Sequence, residues 1–148
     1  MNRQASKDIV VAALITDSAD RVLIVQPHHK EGWIFPGGYV EKGESPSAAC
    51  AREVAAELGL TTNSPTRLLS IDYCDSSEEY VMFIFDCGIM SEEDKAKITL
   101  SPNLKEFTFA PNEESEKMLR RRSSRRLMPT LEARKMTGIA YLEHEERF

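Results

Sequence analysis

Two glutamates four residues apart, Glu53 and Glu57, lie inside a run with the pattern of a helix. Residues at i and i+4 stand one above the other on a helix face, so these carboxylates repel each other on a bare helix. A divalent cation reverses that sign. Hard cations such as Mg²⁺ take oxygen ligands, usually a few carboxylates together with phosphate oxygens and water. Upstream stands Pro36-Gly37-Gly38, a stretch expected to be neither regular helix nor central strand. Its two glycines let a backbone come close to a ligand and present its carbonyls. The chemistry on offer is a loop and a helix that together hold a metal ion and a phosphate. Glu53, Glu57 and the Gly37 carbonyl are the candidate metal ligands, and Gly38 is a candidate substrate contact.

The helix that carries the carboxylates has visible ends. Ser45 reads as its N-cap and Pro46 as its first residue. Gly59 reads as its stop. That spacing predicts about 13 residues, roughly 20 Å of helix. Ala48, Ala51, Ala55 and Leu58 recur at helical spacing and are expected to face the core. Arg52 sits about 100° round from Glu53. It is expected to orient a carboxylate from the side, with Glu44 as partner, in a pair that locks the loop to the helix.

The stretch resembles the Nudix box, G-x5-E-x7-R-E-U-x-E-E-x-G-U, where U is a bulky aliphatic residue. Gly38, Glu44, Arg52, Glu53, Val54, Glu57, Gly59 and Leu60 fall on the pattern, and W-I-F-P-G precedes it. One position departs: Ala56 stands where the first glutamate of the E-E pair is usual. The resemblance implies an α/β fold, an α/β/α sandwich with a mixed sheet. It implies a metal-dependent pyrophosphohydrolase using Mg²⁺, with Mn²⁺ as a substitute, on a nucleoside di- or triphosphate derivative. It carries over Glu53 as metal ligand and proton acceptor, and Glu57 as metal ligand. Arg52 and Glu44 complete the catalytic set. The family usually adds an acidic residue from beyond the box, and Glu106, just before Phe107-Thr108-Phe109, is the candidate; Asp72, Asp75 and the acidic run at 92–94 are weaker ones. Loss of the carboxylate at Ala56 leaves a second reading open, an attenuated module that binds a nucleotide or sugar phosphate with little turnover.

Substrate class is less legible. The S-Q-P-W-P-F-P stretch of NADH-selective members is absent. The proline of ADP-ribose-selective members is replaced by Asp75-Ser76, and no coenzyme A signature stands upstream. Tyr73, Tyr80 and Phe83 are candidates for stacking a base, with core packing as the alternative; Trp33 is expected to pack beneath the loop. The run Arg120 to Arg126 reads as a solvated helix face. An RNA-end-processing role would rest on that run alone. His28 and His29 are loop residues that could contact phosphate or simply be polar surface.

The chain has 148 residues, enough for one domain with a real core. Residues 1–8 are expected to be a loose end, and 128–148 fall outside the secure part of the resemblance. Net charge of −5 disfavours a nucleic-acid partner and fits a monomer or a small oligomer such as a homodimer. The three cysteines, Cys50, Cys74 and Cys87, form neither a disulfide framework nor a zinc pattern, as expected of buried thiols in the cytoplasm. No signal-peptide pattern or membrane-spanning run is visible.

Ile9–Thr16 reads as a strand covered on both faces, and Asp17–Asp20 as a turn into a second strand, Arg21–Gln26. Further strands are expected at Arg67–Tyr73, Tyr80–Ile89, Ile98–Leu100, Phe107–Phe109 and Ile139–Leu142. Met90–Lys95 reads as an acidic loop. One helix is expected from Asn112 to Leu127, separated by Pro129 from another over Leu131–Met136.

Overall fold

A computed structural model describes residues 3–148. Strand β1 (Asp8–Thr16) is the centre of a mixed sheet. Its apolar run splits by the period of two, with Val11, Ala13 and Ile15 on one face and Ala12 and Leu14 on the other. Strand β2 (Val22–Pro27) follows the predicted turn, where the buried Asp17 carboxylate accepts from the backbone N–H groups of Ala19 (3.0 Å) and Arg21 (2.9 Å). The other strands are β3 (Gly37–Tyr39), β4 (Arg67–Asp75), β5 (Glu79–Ile89), β6 (Leu104–Ala110), β7 (Ala140–Glu143) and β8 (Glu146–Arg147). The sheet runs β6-β2-β1-β5-β4-β7-β8, with β3 also paired to β1. The β1–β5 and β4–β7 pairs are parallel and the rest antiparallel.

Helix α1 (Pro46–Leu58) covers one face, and α3 (Asn112–Met118) and α4 (Arg121–Arg134) cover the other; a short α2 (Glu92–Lys95) occupies the stretch expected as an acidic loop. The result is the expected α/β/α sandwich. On the α1 side Ala49, Cys50, Val54 and Leu58 pack on Val11, Ala13, Ile15, Phe85 and Cys87. On the α4 side Leu127 and Ala133 pack on Ala12, Leu14, Ile24, Leu69 and Ile84. Trp33 packs at the edge of this second core. All three cysteines are buried and free. Among the described residues, no helix is long and apolar enough to cross a membrane.

Several expectations are corrected. The core face of α1 is Ala49, Cys50, Val54 and Leu58; Ala48 is exposed and Ala51 and Ala55 lie at the boundary. Three alanines at helical spacing say little about direction when a larger apolar set stands one position over. Ile98–Leu100 forms no strand. The N–H groups of Thr99 and Ser101 instead donate to the Leu58 and Glu57 carbonyls at 2.9 and 3.0 Å, closing the open end of α1. The single helix expected from Asn112 breaks at Leu119, which is extended (φ −63°, ψ 147°). Pro129 lies inside α4 rather than between two helices. Within the segment expected to be loose, Asp8 begins β1, and Lys7 is tied by a 3.0 Å ion pair to Asp75.

The largest correction concerns the arginine run. Arg126 is 2% exposed rather than solvated. Its Nε donates to Asp72 Oδ2 at 2.6 Å, and its Nη2 to the Tyr80 hydroxyl at 2.5 Å. Asp72 also accepts from the Glu145 N–H at 3.0 Å. Arg122, one turn earlier, donates to Tyr80 and Ser76. Deleting one partner of a buried pair strands the other charge in a poorly solvating interior. Arg126→Ala should therefore lower the unfolding free energy by about 3 kcal/mol or more. Urea denaturation measures it; a loss under about 1 kcal/mol would show that Asp72 is solvated without its partner.

Candidate active site

α1 is capped as its sequence dictates. The Ser45 hydroxyl accepts from the Ala48 N–H at 3.2 Å, and Gly59 closes the helix in the left-handed region at φ 71°. Both glutamates project from this helix beside β3. Glu57 is buried, and Glu53 is about one-fifth exposed at its side chain.

β3 was not expected as a strand, because two glycines follow a proline. It forms because β1 offers it a partner, with Ala12 opposite Gly37 and Val11 opposite Gly38. The Ala13 N–H donates to the Pro36 carbonyl and the Val40 N–H to the Ile9 carbonyl, both at 2.8 Å. Antiparallel ladders alternate, so at Gly37 and Tyr39 the N–H and C=O turn away from β1. They turn toward α1. The Gly37 N–H donates to Glu57 Oε2 at 3.1 Å, and the Tyr39 carbonyl accepts from Arg52 Nη2 at 3.1 Å. The Gly37 carbonyl shares that edge, which keeps an oxygen beside Glu57. Neither glycine admits a side chain. A Cβ on Gly37 would lie 2.0 Å from the Val11 carbonyl oxygen, and one on Gly38 would lie 2.7 Å from Glu53 Cδ.

Arg52 ties loop, strand and helix together. It grips Glu44 with Nε (2.7 Å) and Nη2 (3.0 Å), and its Nη1 donates to Glu53 Oε1 at 2.7 Å. The expected Glu44–Arg52 pair is thus present, and the same guanidinium also orients Glu53. Glu44 accepts from the Glu41 N–H as well. Hydrogen bonding to Arg52 holds the Glu44 carboxyl down at about 2. Glu57 goes the other way. Burial raises it far above the carboxylate range, and the hydrogen-bonded Glu53 beside it adds to the rise. Burial and the neighbouring Glu53 therefore favour the protonated form of Glu57 in the metal-free protein.

The other candidates lie apart. Tyr80 is buried on the α4 side of the sheet, with Arg126 over its ring at 5.5 Å, so it cannot stack a base beside Glu53. Tyr73 alternates with Asp72 and Cys74 and therefore faces the α1 side; it is half-buried, with Lys7 over its ring at 4.8 Å. Glu106 is exposed on β6. It shares its face with Thr108 and Ala110, whereas Phe107 and Phe109 pack toward α1. The pleat thus turns Glu106 away from the helix carboxylates. His28 and His29 are exposed. Asp72 belongs to a trio with Cys74 and Glu145 whose ligand atoms converge as metal ligands could. Arg126 already occupies that centre with its positive charge. Arg122 and Arg126 were missed as structural residues, although Arg122, Arg126, Thr130 and Ala133 repeat at helical spacing and mark an inward face.

The NUDIX domain family model matches residues 6–131, and the chain belongs to that family. It is 38% identical over 52 residues to the putative ADP-ribose pyrophosphatase YjhB of Bacillus subtilis, covering 35% of this chain and 24% of that protein. It is 35% identical over 79 residues to the human 8-oxo-dGDP phosphatase NUDT18, covering 51% of this chain and 24% of that protein. The matches thus span about a quarter of these curated relatives. Among solved structures, an ADP-ribose pyrophosphatase from Streptococcus suis superposes with a TM-score of 0.73 at 17% identity, over 93% of this chain and 99% of the other. A Nudix hydrolase from Nitrosomonas europaea superposes with the same TM-score at 16% identity, over 95% and 79%.

A raised carboxyl stabilises the fold while protonated, and that contribution is lost as pH rises through its folded value. The metal-free protein should lose stability as pH climbs from about 4.5, the ordinary glutamate value, into the alkaline range. Glu57→Gln keeps an acceptor for Gly37 and adds a donor for Glu53. It should flatten that decline and raise the metal-free melting temperature at pH 8 by several degrees. Thermal melts from pH 5 to 9 in a chelator check this; parallel curves for both proteins would place the strain elsewhere.

Proposed function

We propose that the chain hydrolyses a phosphoanhydride bond in a nucleoside di- or triphosphate derivative, with a divalent cation at α1. One observation carries the reading: two carboxylates, one buried, are packed against a side-chain-free backbone edge that offers a carbonyl. Left alone, the buried Glu57 beside Glu53 is strained, and burial drives it toward its protonated form. A hard cation with oxygen ligands relieves that strain, so the donor set fits Mg²⁺ or Mn²⁺. Glu53, Glu57 and the Gly37 carbonyl would hold it. When bound, the ion supplies positive charge for phosphate oxygens.

The chain's own residues do the rest. Arg52 fixes one oxygen of Glu53, leaving the other to accept a proton from the attacking water. Glu44 holds Arg52 in place from the loop. Gly38, whose missing side chain lets Glu53 pack against β3, stays a candidate substrate contact, and Tyr73 is the remaining aromatic candidate on that side of the sheet. The relatives named as ADP-ribose pyrophosphatase and 8-oxo-dGDP phosphatase favour nucleoside diphosphate derivatives for the first panel. Glu53→Gln should fold normally and lose at least roughly 10²-fold in kcat on the best substrate. A panel of nucleotides and nucleotide sugars with Mg²⁺ or Mn²⁺, scored by the phosphate, pyrophosphate or phosphomonoester released, tests it; equal rates would remove Glu53 from the reaction.

Ala56 favours a second reading, a binding module with attenuated turnover. Ala56 is exposed, between Ala55 and Glu57 and three residues after Glu53. Ala56→Glu should lower the Mg²⁺ concentration needed for half-maximal activity if the wild type is an enzyme short of one ligand. If the wild type turns over nothing in the panel yet binds a nucleotide, the attenuated reading stands. An unchanged metal titration in an active Ala56→Glu protein would show that position 56 does not reach the cation.

A further inference from the structure

Across the sheet from α1, an open groove of about 580 Å³ lies between the first turn of α4, the β4–β5 turn at Ser76, and the β7–β8 hairpin. Three arginines of α4 line it, Arg121, Arg122 and Arg125. Arg122 is positioned by neutral oxygens: its Nη2 donates to Ser76 Oγ at 2.8 Å and its Nη1 to the Tyr80 hydroxyl at 3.3 Å. That hydroxyl is itself fixed by buried Arg126. Among the described residues, none of the three arginines has a carboxylate within ion-pair distance.

The acidic residues of the opposite wall are mostly engaged elsewhere. Glu143 accepts from the Tyr141 hydroxyl at 2.8 Å, and Glu145 lies 3.9 Å from Arg126. Arg147 pairs with Glu132, which leaves Glu146 as the one wall carboxylate without a partner among the described residues. The first turn of α4 contains no acidic residue. Cations there repel one another and oppose the positive end of the helix dipole. An anion in the groove turns both terms favourable. Guanidinium forks match phosphate oxygens in geometry as well as charge.

We propose that this groove binds a phosphate-bearing small anion, at a site separated by the sheet from the α1 carboxylates. Calorimetric titration of the full chain in EDTA with inorganic pyrophosphate, AMP and adenosine tests it. Wild type and Glu53→Gln should bind pyrophosphate and AMP saturably and adenosine far more weakly. Arg121→Gln/Arg125→Gln, which changes two exposed side chains, should weaken both by at least about tenfold while keeping the wild-type circular dichroism spectrum. Equal affinity for pyrophosphate and AMP would identify free phosphate groups as the ligand; tighter AMP would identify a nucleotide. No saturable heat from either anion would overturn the proposal. So would binding unchanged by the double variant, or binding lost in Glu53→Gln, which would put the anion at α1. If the double variant misfolds, Arg125→Gln alone with pyrophosphate gives the same decision.

Discussion

Two carboxylates one helical turn apart, held against a bare backbone edge, set the conditions that the surrounding structure meets. Glu57 is buried and Glu53 touches it, so their repulsion is not screened by water. To keep them there, the helix must be anchored at both ends. Ser45 caps its start, and Gly59 with the Thr99 and Ser101 amides closes its end. The facing strand must have no side chains at two positions, since a Cβ on Gly37 or Gly38 would collide with β1 or with Glu53. One guanidinium must then absorb part of the charge. Arg52 bonds Glu44, Glu53 and the Tyr39 carbonyl, joining loop, helix and strand.

The sheet divides the molecule's polar chemistry in two. On the α1 side, acid predominates and Arg52 moderates it. On the α4 side, base predominates, and Asp72 with Tyr80 anchors it beneath the helix. The apolar layers between them, Val11, Ala13 and Ile15 on one face and Ala12 and Leu14 on the other, are continuous along β1. Each centre is thus built on its own helix. Neither helix can be repositioned without disturbing the same central strand.

Much of this was legible because it is local. The cap, the stop, the i and i+4 carboxylates and the Glu44–Arg52 pair depend on residues within one loop and one helix. β1 and β5 were legible because long, almost continuously apolar runs bounded by polar turns are hard to mistake. What failed depends on partners from elsewhere in the chain. Gly37-Gly38 reads as a loop until β1 is beside it. Ile98–Leu100 reads as a strand, yet its amides serve the end of α1. Glu106 stands just before Phe107 but inside β6, and its pairing with Gln26 on β2 decides which way it faces. Arg126 reads as one more solvated charge until Asp72 arrives from β4.

The substitution at position 56 acquires a physical meaning in this setting. Glu44, Glu53 and Glu57 carry three formal negative charges and Arg52 one positive, which leaves two. In the metal-free protein protonation of Glu57, which burial favours, lowers that further. A third helix carboxylate would raise the residual charge and the repulsion within α1. Ala56 therefore leaves the Glu44–Arg52–Glu53 network and the Gly37–Glu57 bond in place and adds no further charge to them. It also leaves the exposed rim of α1 beside Glu57 apolar, where, on the proposed function, a substrate's phosphates would supply the remaining oxygen ligands.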